Sequence, residues 1–292
     1  MSGQIRWRGA VALIAAGWGG VAVIVQAIDL PATAIVFYRV FLAASALLAG
    51  ALLARRLDLL AAGGQRWPLL GLGAILGAHW LAYFVTIKVS SVALAVLLVY
   101  TGPLFIAVLA PPMLGAPTGR RTWLALAAGA AGIALVATDG AAAVDVSAEA
   151  VALGLVAGLM FALLIIAGGM VAPSVSAPSF AFWETAAASL LLFPVALSDE
   201  VMPPNLSSLL GLLALGVGAT ALLGVAFART LRHVDAQSIG VLLYIEPVSS
   251  VLLAWLLLSQ QPSPRTAAGG GLVLAAGMTT VWITPRTATL TA

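Results

Sequence analysis

Four ionisable side chains lie inside long apolar stretches of the sequence: Arg39, His79, Glu184 and Glu246. An ionisable residue inside a membrane costs about 2.5–3.5 kcal/mol on insertion scales, so such residues are rare and mark functional or paired positions. A shift of 145 residues places Phe37-Tyr38-Arg39 over Phe182-Trp183-Glu184, which gives Arg39 and Glu184 equivalent places with opposite charge. Two interpretations remain open. The residues are structural, paired with each other or with other polar groups, or they form a gate whose ion pair breaks on switching.

Glu246 directly precedes Pro247, and Pro103 occupies the equivalent place earlier in the chain. A proline inside a helix removes an N–H donor and pushes on the carbonyl four residues earlier, here that of Leu243 or Val99. Within a membrane, such freed carbonyls must be satisfied by protein, water or ligand. A carboxylate beside freed carbonyls suits an ammonium group, which makes Glu246 a candidate substrate-binding residue. The alternative is a simple kink in each helix.

His79 shares a helix face with Tyr83, one turn later, and has Trp80 beside it. A buried histidine is commonly a hydrogen-bonded packing residue. Its cost inside a membrane favours a water-filled cavity instead, so His79 is a candidate cavity-lining residue. An ordinary histidine pKa near ~6.5 also permits a proton relay.

Several aromatic residues fall near the middle of apolar stretches and are candidate substrate-binding residues together with His79 and Glu246: Trp18, Tyr83, Tyr100, Phe161, Trp183 and Tyr244. Tyrosine hydroxyls need hydrogen-bond partners when buried, which favours a cavity over lipid. Aromatic walls bind planar or apolar substrates by stacking. For any single residue, plain helix packing is the alternative interpretation.

The composition excludes a soluble protein. The chain has 292 residues, 62% of them hydrophobic and only 8% charged, whereas soluble domains carry about 25% charged residues. A net charge of +3 is too small and too scattered for nucleic-acid binding. The absence of cysteine excludes disulfides, thiol catalysis and cysteine metal sites, and no metal or other cofactor is implied.

Ten apolar stretches are long enough to cross a ~30 Å hydrocarbon core as helices, because such a crossing needs about 20 residues. They cover residues 8–27, 32–53, 67–88, 91–111, 120–138, 149–170, 177–197, 206–229, 235–258 and 265–283. The stretches are continuously apolar rather than alternating, which disfavours a β-barrel. The sequence therefore predicts an all-α polytopic membrane protein with ten transmembrane helices.

The basic residues between these stretches predict the orientation. With the N-terminus inside, ten arginines fall in cytoplasmic segments and only Lys88 and Arg265 fall outside. The positive-inside rule then places both termini in the cytoplasm. For a bacterial protein, the expected location is the inner membrane.

The chain also repeats itself. A shift of 144 residues places residues 97–103 (LLVYTGP) over residues 241–247 (VLLYIEP), and the register extends to Arg121-Thr122 over Arg265-Thr266. The predicted repeats are residues 1–140 and 145–292, each with five helices. Because five is odd, the second repeat enters the membrane from the opposite side. Inverted repeats with a midplane substrate site are typical of secondary transporters.

The sequence resembles the EamA-type drug/metabolite transporter superfamily. The resemblance covers nearly the whole chain and includes Trp18-Gly19, Arg39, the prolines Pro103 and Pro247, and glycine-rich helices around Gly129-Gly132 and Gly269-Gly277. Family members often carry Gly-Glu after the fourth and ninth helices, where this chain has Gly115-Ala116 and Ser259-Gln260, so that carboxylate is absent. Within the superfamily, the chain is most similar to bacterial aromatic amino-acid exporters.

These observations favour a secondary carrier that exports small amphipathic metabolites, foremost aromatic or other apolar amino acids, by alternating access. A multidrug or other metabolite carrier of the same fold is the alternative. The nucleotide-binding loop of an ATP-driven pump is absent, and so are the histidine and serine motifs of intramembrane enzymes. No filter motif indicates a channel. The expected partners are a small-molecule substrate and the lipid bilayer, with protons as a further candidate and no nucleic acid.

Overall fold

The computed structural model describes residues 2–26, 28–89, 95, 98–115, 117–138, 147–197, 202–203, 205–258 and 263–283. Over these residues the chain is helical and contains no strand. Its α-helices are α1 (Ser2–Trp18), α2 (Gly20–Gln26), α3 (Ala32–Leu53), α4 (Arg66–Val89), α5 (Gly102–Leu114), α6 (Arg120–Ala137), α7 (Ala148–Val171), α8 (Ala177–Leu192), α9 (Leu206–Leu213), α10 (Leu223–Thr230), α11 (Ala236–Leu243), α12 (Ile245–Leu258) and α13 (Pro264–Ile283).

Six helical segments are long and apolar enough to cross a membrane: Gly3–Val25, Thr33–Leu53, Gly63–Thr86, Ala148–Ser174, Leu206–Thr230 and Ala236–Leu257. The apolar helices Gly102–Leu114 and Ala267–Ala276 are shorter. Each of the ten stretches found in the sequence contains helix, although residues 91–94, 96 and 97 lie outside the described part. The chain is thus a multi-pass helical membrane protein, and a total of ten spans stays a prediction.

Small residues allow helices from the two halves of the chain to pack closely. A Cβ added to Gly132 of α6 would lie 2.5 Å from the Gly269 carbonyl oxygen of α13 and 2.8 Å from Val273. Gly19 likewise leaves room for Ser249 of α12, whose Cβ would lie 2.8 Å from an added methyl group. At both positions small residues let the helices approach closely, as is common where lipid surrounds a bundle.

Regular α-helix is interrupted near both prolines and in one π-helical segment. Helix α5 begins at Gly102 with Pro103 in its first turn, after a turn at Tyr100 and Thr101. Helices α11 and α12 are separated by a turn at Tyr244. Ile245, Glu246 and Pro247 then form the first turn of α12. Both prolines thus lie in the first turn of a helix that follows a short irregular turn, and the kink that the sequence left open at each proline takes this form. Proline is tolerated there because the first helical N–H groups have no partner within the helix.

Between α9 and α10, residues Ala214–Leu222 form a π-helix that continues the same segment. A π-helix shifts the backbone hydrogen bonds by one residue and is found frequently at functional sites.

The helices of the two halves pack with a repeated pattern. Helix α4 packs against α7 and α8. The segment equivalent to α4 in the second half, 144 residues later, consists of the π-helix and α10, and this segment packs against α3 and α1. Helix α5 packs on α7, as α11 and α12 pack on α1. The pairs α3–α8 and α6–α13 each join equivalent helices. This exchange of partners fits a two-fold relation between the halves, which stays a proposal.

Candidate functional site

Arg39 of α3 is held inside the bundle by two neighbouring segments. Its Nε donates a hydrogen bond of 2.8 Å to the Thr220 hydroxyl of the π-helix. Its guanidinium carbon lies 4.2 Å from the centre of the Trp80 ring on α4. A desolvated cation–π contact of this kind stabilises a buried cation by about 2 kcal/mol. The side chain also interacts electrostatically with Glu246 of α12.

Glu246 is the centre of a group of tyrosines. The Tyr100 hydroxyl, in the turn before α5, lies close enough to the Glu246 carboxylate to donate a hydrogen bond to it. The carboxylate also interacts electrostatically with Tyr83 of α4. The Tyr100 and Tyr244 rings lie 6.0 Å apart at an interplanar angle of 36°. The two helix breaks and the carboxylate therefore meet in one place, as the equivalence of residues 97–103 and 241–247 suggests.

The Tyr244 side chain is fully buried, yet its hydroxyl has no hydrogen-bond partner among the described residues. A Cβ added to Gly129 of α6 would lie 2.6 Å from Cε2 of Tyr244, so glycine at position 129 makes room for the ring. Leaving a buried hydroxyl unsatisfied costs about 1–3 kcal/mol. The Tyr244 hydroxyl is therefore available to a ligand or a water molecule.

His79 lies on α4 next to this cluster and is 6% exposed. Its Nδ1 is 2.9 Å from the Ala157 carbonyl oxygen, and because a carbonyl can only accept, Nδ1 carries the proton. The imidazole stacks between Tyr83 and Phe161, with ring centres 6.4 and 5.8 Å away. The histidine thus forms a hydrogen-bonded contact with α7, and it supports Tyr83 beside Glu246.

Trp18 at the end of α1 contacts the π-helix. Its indole Nε1 donates a hydrogen bond of 2.7 Å to the Ala219 carbonyl, next to the Thr220 that holds Arg39. Its ring centre lies 5.1 Å from that of Phe227. Trp18 is therefore joined to the Arg39 cluster through the backbone of residues 219 and 220.

Trp183 and Glu184 lie apart from this cluster. The Trp183 indole donates a hydrogen bond of 2.9 Å to the Leu60 carbonyl, in the connection between α3 and α4. Trp183 lies in the second turn of α8 and contacts the connection between α3 and α4 rather than the Arg39 and Glu246 cluster, and its depth in the membrane stays a prediction. Arg39 contacts Thr220 and Trp80 and interacts electrostatically with Glu246, so the direct pair with Glu184 considered in the sequence is not formed.

The opposite directions of α3 and α8 explain why Arg39 and Glu184 do not meet. The connection after α3 contacts the first two turns of α8 through Leu60 and Ala61, so the helices are antiparallel. Arg39 and Glu184 are each the eighth residue of their helix. At 1.5 Å per residue, they are offset by about 10 Å along the bundle.

Sequence reasoning missed the partners of Arg39. Thr220 carries no ionisable group, and its position depends on the π-helix. The only sequence signal for this irregularity is the glycine-rich run Leu215-Gly216-Val217-Gly218. Trp80 was noted only as a neighbour of His79, because its contact with Arg39 joins two different helices.

A second polar cluster joins α1 to the connection between α10 and α11. Arg8 forms an ion pair of 3.4 Å with Asp235, whose other carboxylate oxygen caps α11 by accepting a hydrogen bond from the Ser238 N–H. Trp7 stacks on His233, with ring centres 4.1 Å apart. Burial against this ring and the neighbouring Arg232 lower the pKa of His233. These contacts hold the two halves of the chain together at one end of the bundle.

In the part of the chain that the structure describes, no cluster of three or more His, Asp or Glu side chains could hold a metal ion. The central cluster around Arg39 and Glu246 instead presents one guanidinium, one carboxylate and several aromatic rings. Its residues come from helices that meet where α5 and α12 begin. Broken helices that meet inside a bundle are typical of secondary transporters. The fold and the site thus define the protein as a membrane transporter.

The chain belongs to the EamA-like transporter family, whose model matches residues 6–138 and 148–282. It is 31% identical over 254 residues to the pseudopaline exporter CntI of Pseudomonas aeruginosa strain UCBPP-PA14, a match that covers 85% of each chain. An uncharacterized transporter of Archaeoglobus fulgidus is 27% identical over 214 residues, covering 73% of this chain and 76% of that protein. These descriptions support the transporter class and do not specify aromatic amino acids.

A solved crystal structure has the same overall fold, with a TM-score of 0.82 and 20% sequence identity over 97% of both chains. This similarity extends the fold assignment over nearly the full length of the chain.

Proposed function

We propose that the protein is a secondary transporter of the bacterial inner membrane that exports small amphipathic metabolites carrying both an ammonium and a carboxylate group. Aromatic and other apolar amino acids are the first candidates. The observation that carries the proposal is the placement of Arg39 and Glu246, which interact across the bundle beside Tyr83, Tyr100 and Tyr244. Opposite charges within one aromatic cluster match the two charges and the apolar body of such a substrate.

Each charge has a separate binding task in this proposal. Glu246 attracts the substrate ammonium, assisted by the Tyr100 hydroxyl that already contacts its carboxylate. The Arg39 guanidinium uses its Nε for Thr220, which leaves its two terminal nitrogens to bind a carboxylate as a pair. The unpartnered Tyr244 hydroxyl is a third polar contact within reach of Tyr100. An anionic substrate would lack a partner for Glu246, which favours zwitterions over nucleotides.

Alternating access is supported by the contacts between the halves. The Arg8–Asp235 ion pair, the Trp7–His233 stack and the Trp183–Leu60 hydrogen bond each join residues from opposite halves of the chain. They lie near the basic connections that the positive-inside rule places in the cytoplasm. In this proposal both termini are cytoplasmic, and the three contacts close the cytoplasmic side of the protein. They separate when the substrate enters.

A second substrate candidate comes from the relatives. Because a protein 31% identical to this chain is described as a pseudopaline exporter, pseudopaline belongs among the substrates to be tested. A multidrug or other metabolite carrier of the same fold is the wider alternative. The absence of a narrow filter of like charges around Arg39 and Glu246 gives no support to a channel.

The test is uptake of radiolabelled phenylalanine, tryptophan and threonine into liposomes that contain the purified full chain. Saturable uptake of the aromatic amino acids, lost in Glu246→Gln and in Arg39→Gln, is the expected result. Uptake that rises linearly with concentration would indicate a channel and would contradict the carrier. If no amino acid is transported, direct binding of pseudopaline to the purified protein is measured. Binding would favour pseudopaline as the substrate over amino acids.

A further inference from the structure

Two serines of α12 reach across to the end of α1. The Ser249 hydroxyl lies 3.0 Å from the Ala16 carbonyl oxygen and 2.8 Å from the Glu246 carbonyl oxygen. The Ser250 hydroxyl lies 3.0 Å from the Gly19 carbonyl oxygen and 3.1 Å from the same Glu246 oxygen. Five oxygen atoms from opposite halves of the chain therefore gather in one place.

These oxygens carry too few protons for the contacts that they make. A serine in a helix commonly donates to the carbonyl three or four residues earlier, as both serines can do with Glu246. Each hydroxyl has only one proton, however, whereas two carbonyl oxygens lie within hydrogen-bond distance of it. Two of the four contacts then bring lone pairs together without a proton between them. A cation among the oxygens would make each of these contacts favourable.

The backbone at the end of α1 adds negative partial charge. Helix α1 ends at Trp18 and α2 begins at Gly20, so Gly19 interrupts the helix. The last carbonyl groups of a helix have no partner within it and form the negative end of its dipole. The Gly19 N–H is shared between two of these carbonyl oxygens, each 3.2 Å away. A Cβ added to Gly19 would collide with the Ser249 hydroxyl, so only glycine lets the serine approach this backbone.

The ligand set favours a small monovalent cation. Its oxygens belong to neutral carbonyl and hydroxyl groups, whereas Ca²⁺ and Mg²⁺ are usually bound through carboxylates. Secondary transporters bind Na⁺ through unwound carbonyls and the C-terminal ends of broken helices. Oxygens that lie 2.8–3.1 Å apart suit Na⁺ better than the larger K⁺. Glu246, whose carbonyl is one of the five ligands, also carries a carboxylate that balances the charge of the ion.

We propose that the carbonyl oxygens of Ala16, Gly19 and Glu246 and the hydroxyls of Ser249 and Ser250 form a Na⁺ site that joins α1 to α12. Its role in transport rests on the proposed function, in which the Glu246 carboxylate binds the substrate ammonium. A cation held at the backbone of the same residue repels that ammonium. Na⁺ and substrate therefore bind in turn, which makes the protein an exchanger of Na⁺ for substrate.

Na⁺ binding is tested without a substrate. Thermal unfolding of the purified full chain is measured in NaCl, KCl and choline chloride at equal concentration. The unfolding temperature is expected to be highest in NaCl, because an ion that binds only the folded state stabilises it. Binding of radioactive Na⁺ to the same protein is expected to saturate. Equal unfolding temperatures in NaCl and KCl, or binding that does not saturate, would overturn the site.

Serine variants locate the ion. Ser249→Ala and Ser250→Ala each remove one ligand and are expected to abolish the difference between NaCl and KCl, whereas Ser250→Thr keeps the hydroxyl and most of the difference. The control is Ser179→Ala, which removes a buried serine hydroxyl that donates a hydrogen bond of 2.9 Å to a single carbonyl, that of Ala61. It is expected to lower the unfolding temperature equally in both salts. If one alanine variant does not fold, the other decides. An undiminished difference between the salts in the alanine variants would place the ion elsewhere and overturn the proposal.

Exchange is tested in liposomes that are loaded with radiolabelled phenylalanine. Efflux is expected to be several times faster when external choline is replaced by Na⁺, and this acceleration is expected to disappear in Ser249→Ala and Ser250→Ala. Equal efflux by the unchanged protein in both solutions would overturn the exchange. If the unchanged protein releases no phenylalanine in either solution, the proposed substrate fails, and the salt dependence of unfolding still decides whether the site binds Na⁺.

Discussion

The Arg39 guanidinium carbon lies 4.2 Å from the centre of the Trp80 ring, so an arginine inside the bundle is stacked on an aromatic side chain of the neighbouring helix. The same arginine donates a hydrogen bond to Thr220, which leaves one edge of the guanidinium for a further ligand. Stacking on one face and hydrogen bonding at Nε fix the orientation of the group. This is the arrangement that arginine, rather than lysine, provides.

Replacing Trp80 by leucine is expected to reduce amino-acid uptake by about tenfold or more, because a desolvated cation–π contact contributes about 2 kcal/mol and 1.4 kcal/mol corresponds to a factor of ten. Trp80→Phe is expected to have a smaller effect. The control is Trp67→Leu, which removes an exposed contact in which the Arg66 guanidinium carbon lies 5.4 Å from the ring centre. Equal uptake by Trp80→Leu and Trp67→Leu would contradict a role for the Arg39 stack.

Replacing Tyr244 by phenylalanine separates binding from stability. Because the buried Tyr244 hydroxyl has no described partner, its removal is expected to leave the thermal unfolding temperature unchanged or slightly raised. Substrate uptake is expected to show a higher KM, because the hydroxyl is a proposed substrate contact. A large loss of thermal stability with an unchanged KM would show that the hydroxyl serves the fold instead.

Replacing Gly129 by alanine is expected to displace the Tyr244 ring, since the new methyl group would lie 2.6 Å from Cε2 of that ring. Overpacking of this kind costs about 1–3 kcal/mol, so both the unfolding temperature and uptake are expected to fall. Gly271→Ala is the matched control, because nothing lies within 4 Å of its added Cβ. That variant is expected to be neutral or to gain up to about 1 kcal/mol from higher helix propensity.

His233 is expected to make stability depend on pH. Burial and the neighbouring Arg232 lower the pKa of His233 in the folded protein, so the unfolded chain binds the proton more readily. The stability contributed by the neutral imidazole is therefore complete above the ordinary histidine pKa of about 6.5. It is lost as the pH falls through the lower pKa of the folded state.

Thermal unfolding of the purified protein across this pH range measures the effect. His233→Phe keeps an aromatic ring against Trp7 but cannot titrate, so it is expected to lose less stability on acidification than the unchanged protein. The difference is expected to be small, because His233 is largely exposed. An identical pH dependence in both proteins would mean that the Trp7 contact does not sense protonation.

The absence of native cysteine allows the orientation to be tested with single introduced cysteines. In intact cells, a membrane-impermeant thiol reagent is expected to label Glu149→Cys, at the start of the sixth predicted span, and to spare Gly64→Cys and His233→Cys. All three positions are exposed at helix ends or connections, so reactivity reports their side of the membrane. Labelling of Gly64→Cys from outside would contradict cytoplasmic termini, and disruption of the cells provides the control for access.

Much of the fold could be predicted from the sequence because membrane helices are specified locally. An apolar stretch of sufficient length must satisfy its own backbone hydrogen bonds, so each of the ten stretches contains helix in the structure. The same local rule located the breaks near Pro103 and Pro247, because proline cannot donate a backbone hydrogen bond.

Only the tertiary structure decided which polar groups meet. The sequence left open whether Arg39 pairs with Glu184 or with other polar groups. Because α3 and α8 run in opposite directions, the two residues lie at different heights along the bundle. Arg39 instead meets Thr220 and Trp80, and Trp183 meets the Leu60 carbonyl. Hydropathy and periodicity describe one helix at a time, whereas a polar contact depends on helix order, direction and depth. The sequence therefore determined the class of protein and its helices, and the packing of those helices decided the composition of the site.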